Sequence, residues 1–216
     1  SDTSGMTRSI PIEKILDDCL IAWAMNGEAL RPEQGYPARL VVPGWEGNMW
    51  VKWIRRLEFG DKPYMTREET SKYTDLLTDG KARMFTWVME AKSVVTSPSP
   101  EKPILHKGIQ QLRGLAWSGK GKIKRVDVSL DGGKNWRTAQ LHAPIMSKSL
   151  VRFTLPFEWS GEELLIQSRA IDETGYVQPY IQELQKIRGK NSIYHNNSIA
   201  TWLVSKSGRV DNVRLG

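Results

Sequence analysis

The 216-residue chain is 39% hydrophobic, carries a formal net charge of +7 and has one cysteine. That length buries a core as one large domain or two small ones, and two are expected. A lone Cys19 excludes an internal disulfide framework, and it leaves a zinc ribbon or an iron–sulfur cluster too few thiolates. No uncharged apolar run approaches the roughly 20 residues of a spanning helix, and no basic-then-apolar leader opens the sequence, so no membrane span is expected.

The first predicted element is a helix. Ser9 and Pro11 form its start signal, and Ile12, Ile15, Leu16 and Cys19 recur at i, i+3, i+4 and i+7, which predicts one buried apolar face with Cys19 in the core. Asn26-Gly27, the dipeptide that supplies two positive φ angles, predicts a tight hairpin after Leu20 to Met25. Ala38 to Val42 reads as a strand ended by Pro43-Gly44, and Met49 to Leu57 as a second. Between them lies the loop Gly44-Trp45-Glu46-Gly47-Asn48. Residues 60–83 are polar and lack a period, so a surface excursion with one helical turn is expected. Phe85 to Val95 is strand-like, and Pro98, Pro100 and Pro103 then mark a linker.

Beyond the linker, short alternating runs separated by glycine turns predict an antiparallel sandwich. Val126, Val128 and Leu130 alternate with Arg125, Asp127 and Ser129 before the turn Asp131-Gly132-Gly133. Val151, Phe153 and Leu155 alternate with Arg152 and Thr154. Leu164 to Ile171 is a mostly apolar strand, and Ala200, Trp202 and Val204 form the last. Roughly six or seven strands in about 110 residues match an immunoglobulin-like size.

Several of these segments carry a resemblance. Gly35-Tyr36-Pro37-Ala38-Arg39-Leu40-Val41-Val42-Pro43-Gly44-Trp45-Glu46-Gly47, followed by Val51-Lys52-Trp53, resembles the pterin-holding segment of the sulfite oxidase family. Met25 to Leu30 resembles the hairpin that precedes it, and Trp117-Ser118-Gly119, Val126 to Gly133 and Trp136 resemble that family's dimerisation domain. Met65 to Leu76 and Asp172 to Pro179 look most like the molybdenum subunit of bacterial sulfane or sulfite dehydrogenases. The resemblance runs nearly end to end.

It implies a mainly β fold with some α. Residues 1–97 would be the C-terminal part of a mixed α+β molybdopterin-binding domain, and 104–216 an immunoglobulin-like dimerisation domain. The implied cofactor is a molybdenum–molybdopterin, and the implied activity is oxidation of sulfite or sulfane sulfur with electrons passed to a c-type cytochrome, in a periplasmic homodimer. Arg39 and Lys52 are the expected cations for the anionic pterin, with the backbone of Trp50 and Val51 assisting and Gln34 standing where many members carry histidine. Arg152 is the expected catalytic residue, a guanidinium suited to a sulfur oxyanion.

Two positions depart from the family. The molybdenum-ligating cysteine is expected in a segment before Ser1, so this chain alone is expected to be inactive, and Cys19 lies in the wrong part of the pattern. A tyrosine beside the metal appears as Met6, which favours a sulfane-type substrate, while Asp2 lies too near the terminus to place.

Other readings stay open beside the resemblance. One is a non-catalytic dimerisation or interaction fragment of such an enzyme. The basic balance would favour acidic partners, nucleic acid among them, but the cations are mixed with 24 acidic residues and no base-reading motif is present, so no nucleic-acid partner is expected. Lys120, Lys122, Lys124 and Arg125 read as a solvated strand edge. His106, His142 and His195 lack metal-ligand spacing, and most of the nine tryptophans fall at apolar strand positions that favour packing.

Overall fold

The structure, a computed structural model, describes residues 5–192 and 194–215, so Asp2 lies outside the described residues. The chain forms two compact units, one of residues 1–88 with 188–195 and the other of residues 89–187 with 196–216.

The first unit is built from short elements. Helix α1 (Ile12–Asp18) leads into β1 (Leu20–Ala22), which pairs antiparallel with β4 (Arg39–Val41). Between them β2 (Ala24–Met25) and β3 (Glu28–Ala29) make the expected hairpin, with Asn26 and Gly27 at φ 55° and 83°. Residues 60–83 are more ordered than expected: α2 (Arg67–Lys72) is followed by the hairpin β5 (Thr74–Leu76) and β6 (Ala82–Met84). The core here is small. Leu40, Val42, Trp45 and Met49 are buried, with Ile10, Cys19, Trp50, Val51, Ile54, Trp87 and Val88 packed against them.

Two expectations fail in this unit. The apolar face of α1 is not buried: Ile12 is 44% and Leu16 78% exposed, and no residue of the helix is buried. Met49 to Leu57 is not a strand. Gly47–Met49 is a 3-10 turn, and Trp53 sits at φ 52°, a left-handed conformation that strand pairing does not accommodate. Among the described residues, two backbone bonds, Leu40 N to Val51 O (2.8 Å) and Ile54 N to Ala38 O (3.0 Å), tie the segment to β4 and its start.

The second unit is the alternating β-sandwich. Its strands are β7 (Lys92–Ser97), β8 (Gly108–Trp117), β9 (Ile123–Ser129), β10 (Arg137–Thr138), β11 (Gln140–His142), β12 (Val151–Trp159) and β13 (Leu164–Asp172). After α3 (Ile181–Arg188) come β14 (Thr201–Val204) and β15 (Val210–Val213). One sheet runs β10-β9-β13-β14-β15 and the other β11-β12-β8-β7, with neighbours antiparallel. The inward side chains, among them Leu112, Ala116, Val126, Val128, Phe153, Ile166 and Ala170, form one continuous core. Close packing is visible at Gly114, where an added Cβ would lie 2.1 Å from the Phe153 ring.

One detail differs from the sequence reading. Strand β7 pairs with β8, so the division between the compact units falls at Val88/Met89, ahead of the proline run. Lys124 and Arg125 are exposed at the start of β9, where β13 pairs on one side and β10 reaches only Asp127 and Val128 on the other, so the solvated-edge reading fits this end of a strand that is interior farther along. There Asp127 is buried on the polar face by ion pairs with Arg125 (3.0 Å) and Arg169 (3.2 Å), which is why β9 does not show clean alternation.

Candidate functional site

Two cations converge on one turn of the first unit. Arg31 opens a 3-10 turn at Pro32–Gln34, and the Gln34 Oε1 accepts from the Arg31 N–H (3.0 Å). Gly35 closes the turn at φ 112°. A side chain there would be excluded twice over, by the positive φ and by crowding: an added Cβ would lie 3.0 Å from the Lys52 Cβ and 3.2 Å from the Arg39 Cβ. Arg39, on β4, donates from Nη1 to the Gln34 carbonyl (3.0 Å) and from Nη2 to the Trp50 carbonyl (3.4 Å). Lys52 donates from Nζ to the Glu33 carbonyl (2.6 Å). The two cations therefore rest on successive carbonyls, Glu33 and Gln34, with their stems against one glycine.

Aromatic rings flank the pair. The Arg39 guanidinium lies 5.7 Å from the Trp50 ring centroid and the Lys52 ammonium 5.6 Å from that of Trp53. The Trp53 indole N–H donates to the Pro32 carbonyl (3.0 Å), and that of Trp50 to the Trp45 carbonyl (3.1 Å). Trp45 stacks on Trp87 at 5.0 Å and 10°.

The site has unspent hydrogen-bonding capacity. The Arg39 Nε is buried without a hydrogen-bond partner among the described residues, a costly state for a guanidinium N–H. Gln34 uses its side-chain oxygen inside the turn, which leaves the amide NH2 as a donor. The backbone groups of Trp50 and Val51 are committed within the loop: Trp50 N to Gly47 O (3.2 Å), Val51 N to Met49 O (3.0 Å), and the Val51 carbonyl to Leu40 N. A cluster of fixed cations and one orphaned donor suits a ligand with an anionic end and acceptors along an edge, which fits a pterin phosphate.

Arg152 lies in the other unit. It is exposed on the outward face of β12, with His142 and Leu115 as cross-strand neighbours, while Val151 and Phe153 point into the core as alternation predicts. Cys19 caps the end of α1, half-buried against the small core, and is in no disulfide. Met6 is 54% exposed. Among the described residues, no group of three or more His, Cys, Asp or Glu side chains is placed to hold a metal, and no helix is long and apolar enough to cross a membrane.

Two features escaped the sequence reading. His195 is buried, and its Nδ1 lies 2.7 Å from a Glu46 carboxylate oxygen at the head of the Gly47–Met49 turn. Arg188, also buried, pairs with buried Asp75 at 3.2 Å. Both contacts reach across more than a hundred residues, and no local spacing announces them.

Comparison with known proteins assigns the chain. Residues 1–68 match the oxidoreductase molybdopterin binding domain and residues 83–202 the Mo-co oxidoreductase dimerisation domain. Sulfite oxidase from Gallus gallus is 35% identical over 188 residues, which cover 79% of this chain and 40% of that protein. The chain belongs to the sulfite oxidase family. The mitochondrial sulfite oxidase of Homo sapiens is 30% identical, over 83% of this chain and 36% of its own length. Among solved structures, the sulfane dehydrogenase SoxCD from Paracoccus pantotrophus superposes with a TM-score of 0.92 at 62% identity, covering 97% of this chain and 54% of that one. The chain thus spans about 40% of the chicken relative and about half of the matched SoxCD chain. Its fold is that of a molybdopterin oxidoreductase of the sulfite oxidase type, mainly β, with a dimerisation domain.

Proposed function

We propose that the protein is a molybdenum–molybdopterin oxidoreductase that oxidises sulfite or sulfane sulfur and passes the electrons to a c-type cytochrome, as a homodimer in the periplasm. In this reading residues 1–97 hold one side of the cofactor and 104–216 form the dimerisation domain. The observation that carries it is the convergence of Arg39 and Lys52 on the Glu33–Gly35 turn, with a buried guanidinium N–H unpartnered among the described residues. The likeness to a sulfane dehydrogenase at 62% identity favours sulfane over plain sulfite as the substrate class.

When bound, the molybdenum–pterin supplies oxygen-atom transfer and a two-electron redox centre. The residues of this chain bind and orient. Arg39 and Lys52 neutralise the anionic end, Gln34 donates from its amide, and the Trp50–Val51 backbone keeps the loop in shape through its internal bonds. Arg152 is proposed to receive the substrate oxyanion, for which a planar two-donor head is suited. Cys19 serves packing, and the thiolate for the metal is taken from elsewhere in the full protein.

The test uses the full-length protein with Arg39→Ala and Lys52→Ala. Each variant loses a charged hydrogen-bond donor, so molybdenum and pterin content after purification is expected to fall about 10- to 100-fold. Full occupancy in both variants would overturn the reading. Arg152→Ala should instead keep the metal and raise KM for sulfite or thiosulfonate in cytochrome c reduction. The second reading, a non-catalytic dimerisation or interaction fragment without the molybdenum-ligating cysteine, is supported by the position of Cys19 on the small core, and it predicts that the 216-residue chain dimerises but gives no sulfur-dependent cytochrome reduction.

A further inference from the structure

The loop that bears Trp50, Val51 and Lys52 is gripped by a second guanidinium outside the group already described. Arg8 donates from Nε to the Asn48 carbonyl at 3.1 Å, two residues before the Trp50 carbonyl that Arg39 holds. Its Nη1 donates to the Thr7 carbonyl at 2.7 Å, and its Cζ lies 5.2 Å from the centroid of the Tyr73 ring. Two arginines distant in sequence thus restrain alternate carbonyls of one short loop.

The backbone from which Arg8 projects is itself fastened. Ser9 N donates to the buried Glu69 carboxylate (2.8 Å), whose other oxygen accepts from the Thr66 hydroxyl (3.1 Å). Ser9 Oγ donates to the Tyr64 carbonyl (3.1 Å) and accepts from the Tyr64 N–H (2.8 Å). Tyr73 is held as well, by its N–H to the Glu69 carbonyl (3.2 Å) and by the tilted Tyr194 ring at 5.0 Å. An arginine carried on a pinned backbone and laid over a pinned ring has little rotamer freedom left to lose, so its bond to Asn48 is preorganised.

The loop needs such a restraint. The Trp50 and Val51 backbone is bonded, but at the other end of the loop the Asn48 side-chain oxygen is buried without a hydrogen-bond partner among the described residues. A buried unsatisfied acceptor favours any rearrangement that reaches water. The Arg8 bond opposes that rearrangement at the same residue.

We propose that Arg8 is a positioning residue: it fixes the Asn48–Lys52 loop in the shape that receives the cofactor and couples that loop to the 5–10 segment carrying Met6. The proposal rests on the reading of Arg39 and Lys52 as cofactor-holding residues. It assigns to Arg8 no contact with the cofactor or the substrate.

Arg8→Ala, Arg8→Gln and Arg8→Lys separate the bond from the charge. Gln can donate to the Asn48 carbonyl without charge, whereas Lys keeps the cation over Tyr73 without the fixed N–H. Amide exchange across residues 47–52 is the first readout and needs no cofactor. Arg8→Ala should raise it about tenfold with β-sandwich exchange unchanged, and Gln should restore more protection than Lys. In the full-length protein, molybdenum content should follow the same order. Unchanged exchange at 47–52 in Arg8→Ala would overturn the proposal, as would loosening spread evenly over the first unit or rescue by Lys alone. If the exchange responds as expected while Arg39→Ala and Lys52→Ala keep full pterin, the cofactor reading fails and the role of Arg8 in the loop stands.

Discussion

The two compact units solve the problem of burial differently. In the β-sandwich the inward residues of the two sheets form one core, and Phe153, Val126, Val128, Leu112 and Ile166 are all fully buried. Among the described residues the first unit gathers a cluster of just four buried hydrophobics, Leu40, Val42, Trp45 and Met49, with Leu30 and Phe85 buried apart from it, while Leu16, Trp23, Trp53, Leu57 and Phe59 are each more than half exposed. What the first unit lacks in apolar core it makes up with directional contacts: Arg188 on Asp75, His195 on Glu46, Arg39 and Lys52 on the Glu33–Gln34 carbonyls, and Glu69 on Ser9. A core held by area tolerates polar change at its surface. A unit held by bonds responds to each donor and acceptor.

The largest effect that would sharpen this contrast is in the sandwich. Phe153→Ala empties a fully buried aromatic site and should cost about 3–5 kcal/mol, read as a lowered urea midpoint for the second unit. A loss below about 1 kcal/mol would show that this core is not close-packed and would remove the contrast.

A second test uses opposite responses to pH. Glu69 in the first unit is held above its ordinary value of 4.5, chiefly because burial disfavours its charged form, against the opposing pull of the Ser9 N–H and the Thr66 hydroxyl. The folded state then retains the proton more tightly than the unfolded one. Its contribution is complete below pH 4.5 and declines as pH rises through the raised value. Asp131 in the sandwich is held down to about 2 from 3.8, first by the Asn135 backbone N–H, then by the Asn135 and Ser129 side chains. Its contribution is present above pH 3.8 and is lost as pH falls through about 2. Amide exchange of α2 in wild type and Glu69→Gln, compared from pH 4 to 7, should show wild type losing protection relative to the variant as pH rises. A wild type that gains protection over that range would reverse the assigned sign.

The smallest effect tests the exposed apolar surface. Leu16, 78% exposed on α1, buries little in this chain, so Leu16→Ala should change stability by no more than about 0.5 kcal/mol in urea unfolding. A loss near that expected for Phe153→Ala would show that α1 buries the face its periodicity predicts.

The same contrast explains what was legible in the sequence. Strand alternation such as Val151, Arg152, Phe153, Thr154 and Leu155 is a local signal, and it placed the sandwich strands and the outward direction of Arg152. The Asn26-Gly27 hairpin was legible for the same reason. Segment 49–57 misled because its apolar composition suits a strand, whereas Trp53 at φ 52° and the stems against Gly35 decide its path. The face of α1 misled because periodicity predicts which side chains align and not what covers them. In the candidate site, the residue types at Arg39 and Lys52 were readable through the family resemblance. The carbonyls they hold, the crowding at Gly35 and the grip of Arg8 are tertiary facts with no period or motif.

The pairing of Glu46 with His195 spans 149 positions, and it bears on how the molecule is made. At roughly 5–20 residues per second, a ribosome delivers His195 about 7–30 s after Glu46, so the nascent first unit waits through the synthesis of most of the sandwich before its last tie is available. A stop codon between Asp75 and Arg188 therefore does more than delete the tail: it leaves Asp75 and Glu46 without the Arg188 and His195 they pair with.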